Sequence, residues 1–182
     1  ESPGERTKTF LRTYALGEAY ETNPQELLAE LRLSTHRQAD LESLHVLAEL
    51  SLLQGRYGRL QKNEKYAGQM YATAVTASYQ YLFDPEFEDQ RNIYDPLFRE
   101  VCDIYNQALE GMLRIMREQD ALKPDGSFVA TSLDGRPLVV SVKGNGRWSK
   151  DVFDSFEFVS DYSTEGVRNV HVTYGLGVPL IA

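Results

Sequence analysis

The 182 residues include a single cysteine, three histidines, three methionines and one tryptophan. One cysteine excludes an internal disulfide framework and any zinc site built on several thiolates. No apolar run approaches the roughly 20 residues that a membrane-spanning helix needs. Basic side chains are also in deficit: 19 Lys and Arg stand against 27 Asp and Glu, a net charge of −8. Unspecific nucleic-acid binding rests on a clustered Lys/Arg surface, and this balance argues against it. The rest is ordinary globular material, 42% apolar and 25% charged. The length suits one domain, with or without a small appendage, and is ample for a real core. Residue 1 is Glu and the first methionine is Met70, from which the expectation is that a leader, a lipid-anchor segment or a cloning boundary precedes the chain.

Composition shifts near residue 120. Residues 1–120 carry 13 basic and 20 acidic side chains, whereas residues 121–182 carry 6 and 7. The first part has helical periodicity, and the second has most of the glycine with Val and Phe in alternation. Helices followed by strands predict an α+β fold. An antiparallel bundle of about five helices would span 1–120. A small, mainly antiparallel β region over 121–182 would pack on it and lead into a further domain.

The first helix is expected over Thr7–Tyr20, with Phe10, Leu11, Tyr14, Ala15 and Ala19 on one stripe. Asn23-Pro24 supplies a cap and a first-turn proline for the second, with Glu26 three residues after the cap. Leu27, Leu28 and Leu31 form its buried face. A third runs from about Gln38 to Gln54, with Gly55 as a left-handed stop. Tyr66, Ala67, Met70, Tyr71, Ala74, Ala77, Ser78 and Tyr81 place the fourth, whose small residues invite close approach of a neighbour. Asp95-Pro96 opens the fifth, about six turns long, with Val101, Cys102, Tyr105, Ala108, Met112 and Met116 on its apolar stripe. Beyond it, Phe128–Leu133 and Leu138–Val142 flank Asp134-Gly135, a strong hairpin signal. Lys143-Gly144-Asn145-Gly146 reads as a loop, Val152–Val159 as a Phe-rich segment, and Val170, Val172 and Tyr174 as a half-buried strand. Val178–Ala182 is apolar and strand-like, and the expectation drawn from it is that the polypeptide continues.

Candidate chemistry is sparse. There is no G-x-S-x-G elbow, phosphate-binding loop, H-E-x-x-H or calcium loop. The Gly144/Gly146 amides beside Lys143 and Arg147 could form an anion nest, but a plain connecting loop is the preferred reading. His36 and His45 lie nine residues apart and are expected in two different helices. His171, with Asp154 or Asp161 as an orienting carboxylate, lacks a nucleophile on a strained turn and is read as a surface histidine. Cys102 is read as a buried, inert thiol rather than a reactive one. Asp84, Glu86, Glu88 and Asp89 have the oxygen chemistry for a hard cation but alternate with Pro85 and Phe87, and read as a solvated connector. Tyr14, Tyr66, Tyr71, Tyr81 and Tyr105 lie on helix stripes, either as core residues or as the lining of a groove for a peptide or lipid chain. No catalytic, cofactor-binding or metal-binding residue is assigned.

Several stretches, covering roughly residues 44–182, resemble a known group. They are "LHVLAELSLLQGR" (Leu44–Arg56), "YATAVTASYQYLFD" (Tyr71–Asp84), "FREVCDIYNQALEGML" (Phe98–Leu113) and the segment from Phe153 to Ala182. The most diagnostic pieces are Asp103-x-Tyr105-Asn106-x-Ala108-Leu109 and Arg168-Asn169 followed by Gly175-Leu176-Gly177-Val178-Pro179-Leu180. Together they are similar to the N-terminal helical region of bacterial exported, lipoprotein-type alpha/beta-hydrolase-like proteins. The resemblance implies a lipase- or esterase-like parent with its nucleophile downstream of residue 182, and a location outside the cytoplasm or at the cell envelope. This chain carries no nucleophile elbow, so no catalytic residue transfers. The implied role is a non-catalytic accessory domain whose partner is the downstream hydrolase domain, with protein or lipid as further partners. The competing readings are a tetratricopeptide-like helix-hairpin module, weakened by the lack of 34-residue self-similarity, and a self-contained enzyme using His171.

Overall fold

A computed structural model describes residues 1–142, 155–162 and 175–181. The 143–146 loop, Arg147, the first three residues of the Val152–Val159 segment with Asp154, Arg168-Asn169 and the 170–174 strand with His171 lie outside the described residues. The architecture is α+β, with a helical N-terminal bundle followed by small antiparallel strand pairs. Six helices come first: α1 (Glu5–Thr13), α2 (Gly17–Thr22), α3 (Pro24–Arg37), α4 (Leu41–Leu60), α5 (Glu64–Phe83) and α6 (Pro96–Glu118). Strands β1 (Ser127–Thr131) and β2 (Pro137–Ser141) pair antiparallel, as do β3 (Glu157–Phe158) and β4 (Leu180–Ile181).

The expected first helix is two. Ala15 adopts φ 54°, and the Leu16 N–H reaches back to the Leu11 carbonyl at 2.7 Å, closing α1 with a Schellman-type turn. Tyr14 is thereby exposed, its ring tilted against Phe10, instead of sitting in the core stripe.

The other starts follow their capping chemistry. The Asn23, Asp40, Asn63 and Asp95 side chains each accept a first-turn N–H, and Pro24 and Pro96 occupy first-turn positions where no donor is needed. Asp40 is thus the cap of α4 and not a residue within it.

Gly55 does not stop α4. The helix continues to Leu60, where Lys62 at φ 57° and an Asn63 N–H to Gly58 carbonyl bond make the real turn. Gly55 is needed for space. A Cβ there would lie 2.5 Å from the Tyr71 ring, and a Cβ on Gly58 would lie 3.0 Å from the Ala67 amide nitrogen. These contacts also set the direction of packing. The pairs 55/71 and 58/67 run antiparallel between α4 and α5, and 71/111 with 68/115 do the same between α5 and α6.

Helix α5 is the centre of the bundle, packed against both α4 and α6. Its small residues Ala67, Ala74, Ala77 and Ser78 are all fully buried, which is what allows two neighbours to close on it.

The β1–β2 hairpin lies on α5. Phe128, Ala130, Leu138 and Val140 turn toward the bundle, while the cross-strand pair Val129 and Val139 faces outward, 58% and 60% exposed. Its connection is a five-residue loop, Ser132 to Arg136, with Gly135 at φ 79°. Asp134 does not face solvent as a plain turn residue would. Its carboxylate accepts a hydrogen bond from the Arg32 Nε of α3 at 3.1 Å, and the two side chains are 6% and 7% exposed. Burial alone would raise the Asp134 pKa, but the Ser132 hydroxyl, the Arg32 charge and the Arg136 N–H outweigh it, so the net direction is down.

A depressed carboxyl pKa stabilises the fold above the ordinary Asp value and loses that contribution as pH falls through the folded value. Asp134→Asn is therefore expected to cost about 3 kcal/mol at neutral pH, the low end for breaking a buried pair because Arg136 stays nearby. Urea unfolding should show the gap between wild type and variant shrinking below about pH 4. A gap independent of pH would refute the assignment.

Candidate functional site

Helices α4 and α6 meet at one polar cluster, with the start of α1 beside it. His45 and Glu49 are four residues apart on α4, which places them on the same face one turn apart. Glu100, in the second turn of α6, meets them there. One ligand-type atom from each of the three lies within 4.8 Å of the others. The His45 side chain is 2% exposed, and its Nε2 is 3.4 Å from the Glu100 carboxylate.

Neither the His45 Nε2 nor the Glu49 Oε2 has a hydrogen-bond partner, though both atoms are buried. The other Glu49 oxygen accepts the Gly4 N–H at 2.7 Å, which ties the start of α1 to α4. A cleft of about 490 Å³ lined by Glu1, Ser2, Glu49, Glu100, Asp103 and Arg56 opens on the carboxylate side. A smaller one of about 240 Å³ borders His45 together with Arg6, Glu42 and Asp95. The cluster combines one imidazole and two carboxylates, a donor set suited to a divalent cation.

A second concavity, about 990 Å³, lies where α2, α4 and α5 meet and is lined by Tyr20, Leu53, Arg56, Tyr57, Leu60 and Tyr71 among others. Gln54 fixes two ring positions beside it, donating to the Tyr20 hydroxyl at 3.3 Å and accepting from the Tyr66 hydroxyl at 3.0 Å. Burial raises the pKa of Tyr20, Tyr66 and Tyr71 alike, so these phenols remain neutral. Of the five stripe tyrosines, Tyr71 and Tyr81 are buried core, Tyr66 and Tyr105 are half-buried, and Tyr14 is exposed.

A third polar assembly ties the C-terminal segments to α6. Arg114 and Arg117 bind Asp161 at 2.6 and 2.9 Å, and their guanidinium groups lie 4.4 and 4.9 Å from the centre of the Phe158 ring. Hydrogen bonds from Arg114 and then Arg117 lower the Asp161 pKa. Asp161 is therefore committed to these arginines and is not a free orienting carboxylate for a histidine. Asn106 bridges the other segment, donating to the Gly175 carbonyl at 2.8 Å and accepting the Gly177 N–H at 2.7 Å.

The remaining sequence candidates are dispersed. His36 is in α3, exposed and contacted by the Arg136 guanidinium, on a different helix from His45 in α4. Cys102 is half-buried, and burial followed by the neighbouring Asp103 raises its pKa, so the thiol stays protonated. The acidic connector forms a 3-10 turn, Pro85–Phe87, capped by Asp84. Arg91 closes the end of α5 by donating to the Leu82, Asp84 and Phe87 carbonyls.

His45 is recognisable in the sequence, but its cluster is not. The His-x-x-x-Glu spacing was visible in α4, whereas Glu100 enters from 55 residues away. Comparison with protein-family models, with curated proteins and with solved structures yields no match.

Proposed function

We propose that this chain is a non-catalytic accessory domain that packs beside a lipase- or esterase-like alpha/beta hydrolase and shapes substrate access to it or positions it. The observation that carries the reading is the outward-facing apolar surface of the β region. Val129 and Val139 pair across one hairpin, and Leu176 and Ile181 are exposed on or beside the other strand pair. Apolar side chains paired on an exposed sheet face mark a surface that a partner covers, and among the described residues each sheet has only two strands, leaving edges to which another strand can add. The residues behind the hydrolase resemblance also meet in space. Asn106 holds the Gly175–Gly177 turn, so the described parts of the two most diagnostic stretches touch.

A coding sequence that continues past residue 182 into a G-x-S-x-G-bearing domain supports the proposal, as does weakened association with that domain on Val129→Asp or Val139→Asp. A stop codon directly after Ala182 overturns it. So does turnover of short acyl esters by the chain alone that is lost in His171→Ala. The Tyr20/Tyr57/Tyr71 groove favours the second reading, a helix-hairpin interaction module. Peptide capture abolished by Tyr57→Ala and Leu60→Asp, with the sheet variants unaffected, would select it.

A further inference from the structure

We propose that His45, Glu49 and Glu100 form a binding site for a divalent transition cation of the zinc type, which joins α4 to α6. The first support is the pair of buried atoms without partners. The His45 Nε2 and Glu49 Oε2 are both sealed from solvent and make no hydrogen bond. Leaving such atoms unsatisfied is costly, and native structures rarely do so without a reason. A proton on His45 would answer only half of this. An Nε2–H aimed at Glu100 satisfies the imidazole at 3.4 Å, a long contact, and leaves the Glu49 oxygen as it was. A cation accepts an electron pair from all three groups at once.

Geometry supplies the second support. Two ligands each about 2.1 Å from a tetrahedral ion stand about 3.4 Å apart, and the His45 Nε2 to Glu100 Oε1 separation is 3.4 Å. The Glu49 ligand atom lies within 4.8 Å of both. Two ligands one turn apart on one helix and a third from a neighbouring helix follow the way metal sites are built inside helical bundles. The Gly4 N–H bond to the other Glu49 oxygen orients that carboxylate, as outer-shell donors do for metal ligands.

A route in exists, because Glu100 is half-exposed and opens onto the cleft lined by Glu1, Glu49 and Asp103, whose negative charge attracts cations. An imidazole among the donors favours zinc-like ions over calcium and magnesium, which take oxygen.

The test uses the whole chain after dialysis against a chelator. Zinc titration by calorimetry is expected to show one equivalent bound and a raised thermal midpoint. Cobalt in its place should give the visible absorption of a low-coordinate site. Glu100→Gln, at a half-exposed position, and His45→Gln should each weaken zinc binding at least about tenfold and remove the thermal shift. Should His45→Gln fail to fold, Glu100→Gln decides alone. The absence of stoichiometric zinc binding overturns the proposal. Zinc binding unchanged in Glu100→Gln, or magnesium and calcium bound as tightly as zinc, overturns it equally.

Discussion

Gly111→Ala is expected to destabilise the bundle by about 2 kcal/mol, in the range for inserting a methyl group into a packed core. On an exposed helix the same change would stabilise by up to about 1 kcal/mol, because glycine is the poorer helix former. The sign reverses here because a Cβ on Gly111 would sit 2.6 Å from the Tyr71 ring, well inside contact distance. The ring cannot swing clear. It is buried, and Gly55 of α4 meets it at 2.5 Å by the same measure.

Gly55→Ala should therefore cost about as much, and the double variant should fall well short of wild-type stability. Tyr71→Leu removes the obstacle. Combined with Gly111→Ala, it should reveal a coupling of about 1 kcal/mol or more in a double-mutant cycle measured by urea unfolding. Strict additivity, or a Gly111→Ala protein more stable than wild type, would show that the ring is not held in this way.

Phe158→Ala should cost about 3–5 kcal/mol, the usual figure for emptying a buried aromatic site. Phe158 is the centre of a small second core with Leu113, Met116 and Leu122, and Phe156, Val178 and Leu180 pack around it. Its ring is also covered by Arg114 and Arg117. The β3–β4 pair is only two residues long on each side. Side-chain packing on α6, not backbone pairing, thus holds these segments in place.

The loss should accordingly be local. Hydrogen exchange at residues 157–159 and 180–181 should accelerate, while the amides of α4 and α5 keep their protection. Phe158→Leu should retain most of the effect of the native side chain. Uniform loss of protection across the bundle would show instead that the second core is part of the main cooperative unit.

Much of the helical part was legible because its signals are local. Asn23-Pro24 and Asp95-Pro96 mark helix starts through capping chemistry confined to a few residues, and the α5 and α6 stripes repeat within a single element. The misreadings share one cause. Gly55 looked like a helix stop when only its immediate neighbours were considered, but its role is set by Tyr71 of the next helix. Ala15 gave no warning of a turn, since alanine is the best helix former. It takes φ 54° because Leu16 turns back to pack on the core. Asp134-Gly135 announced a hairpin turn correctly, while the inward pull of Arg32, from 102 positions away, left no mark in the local pattern.

By itself, then, the sequence determined the α+β class, the caps at Asn23 and Asp95, the apolar face of α6 and the lack of any multi-thiol metal site. Each follows from composition or from residues within about one turn of one another. The tertiary structure alone decided that α5 is central, that Tyr71 requires two glycines, that Arg114 and Arg117 commit Asp161, and that His45 and Glu49 meet Glu100. These depend on which distant elements pack together. Burial then gives such contacts their weight, because a polar atom removed from water must find its partner within the fold.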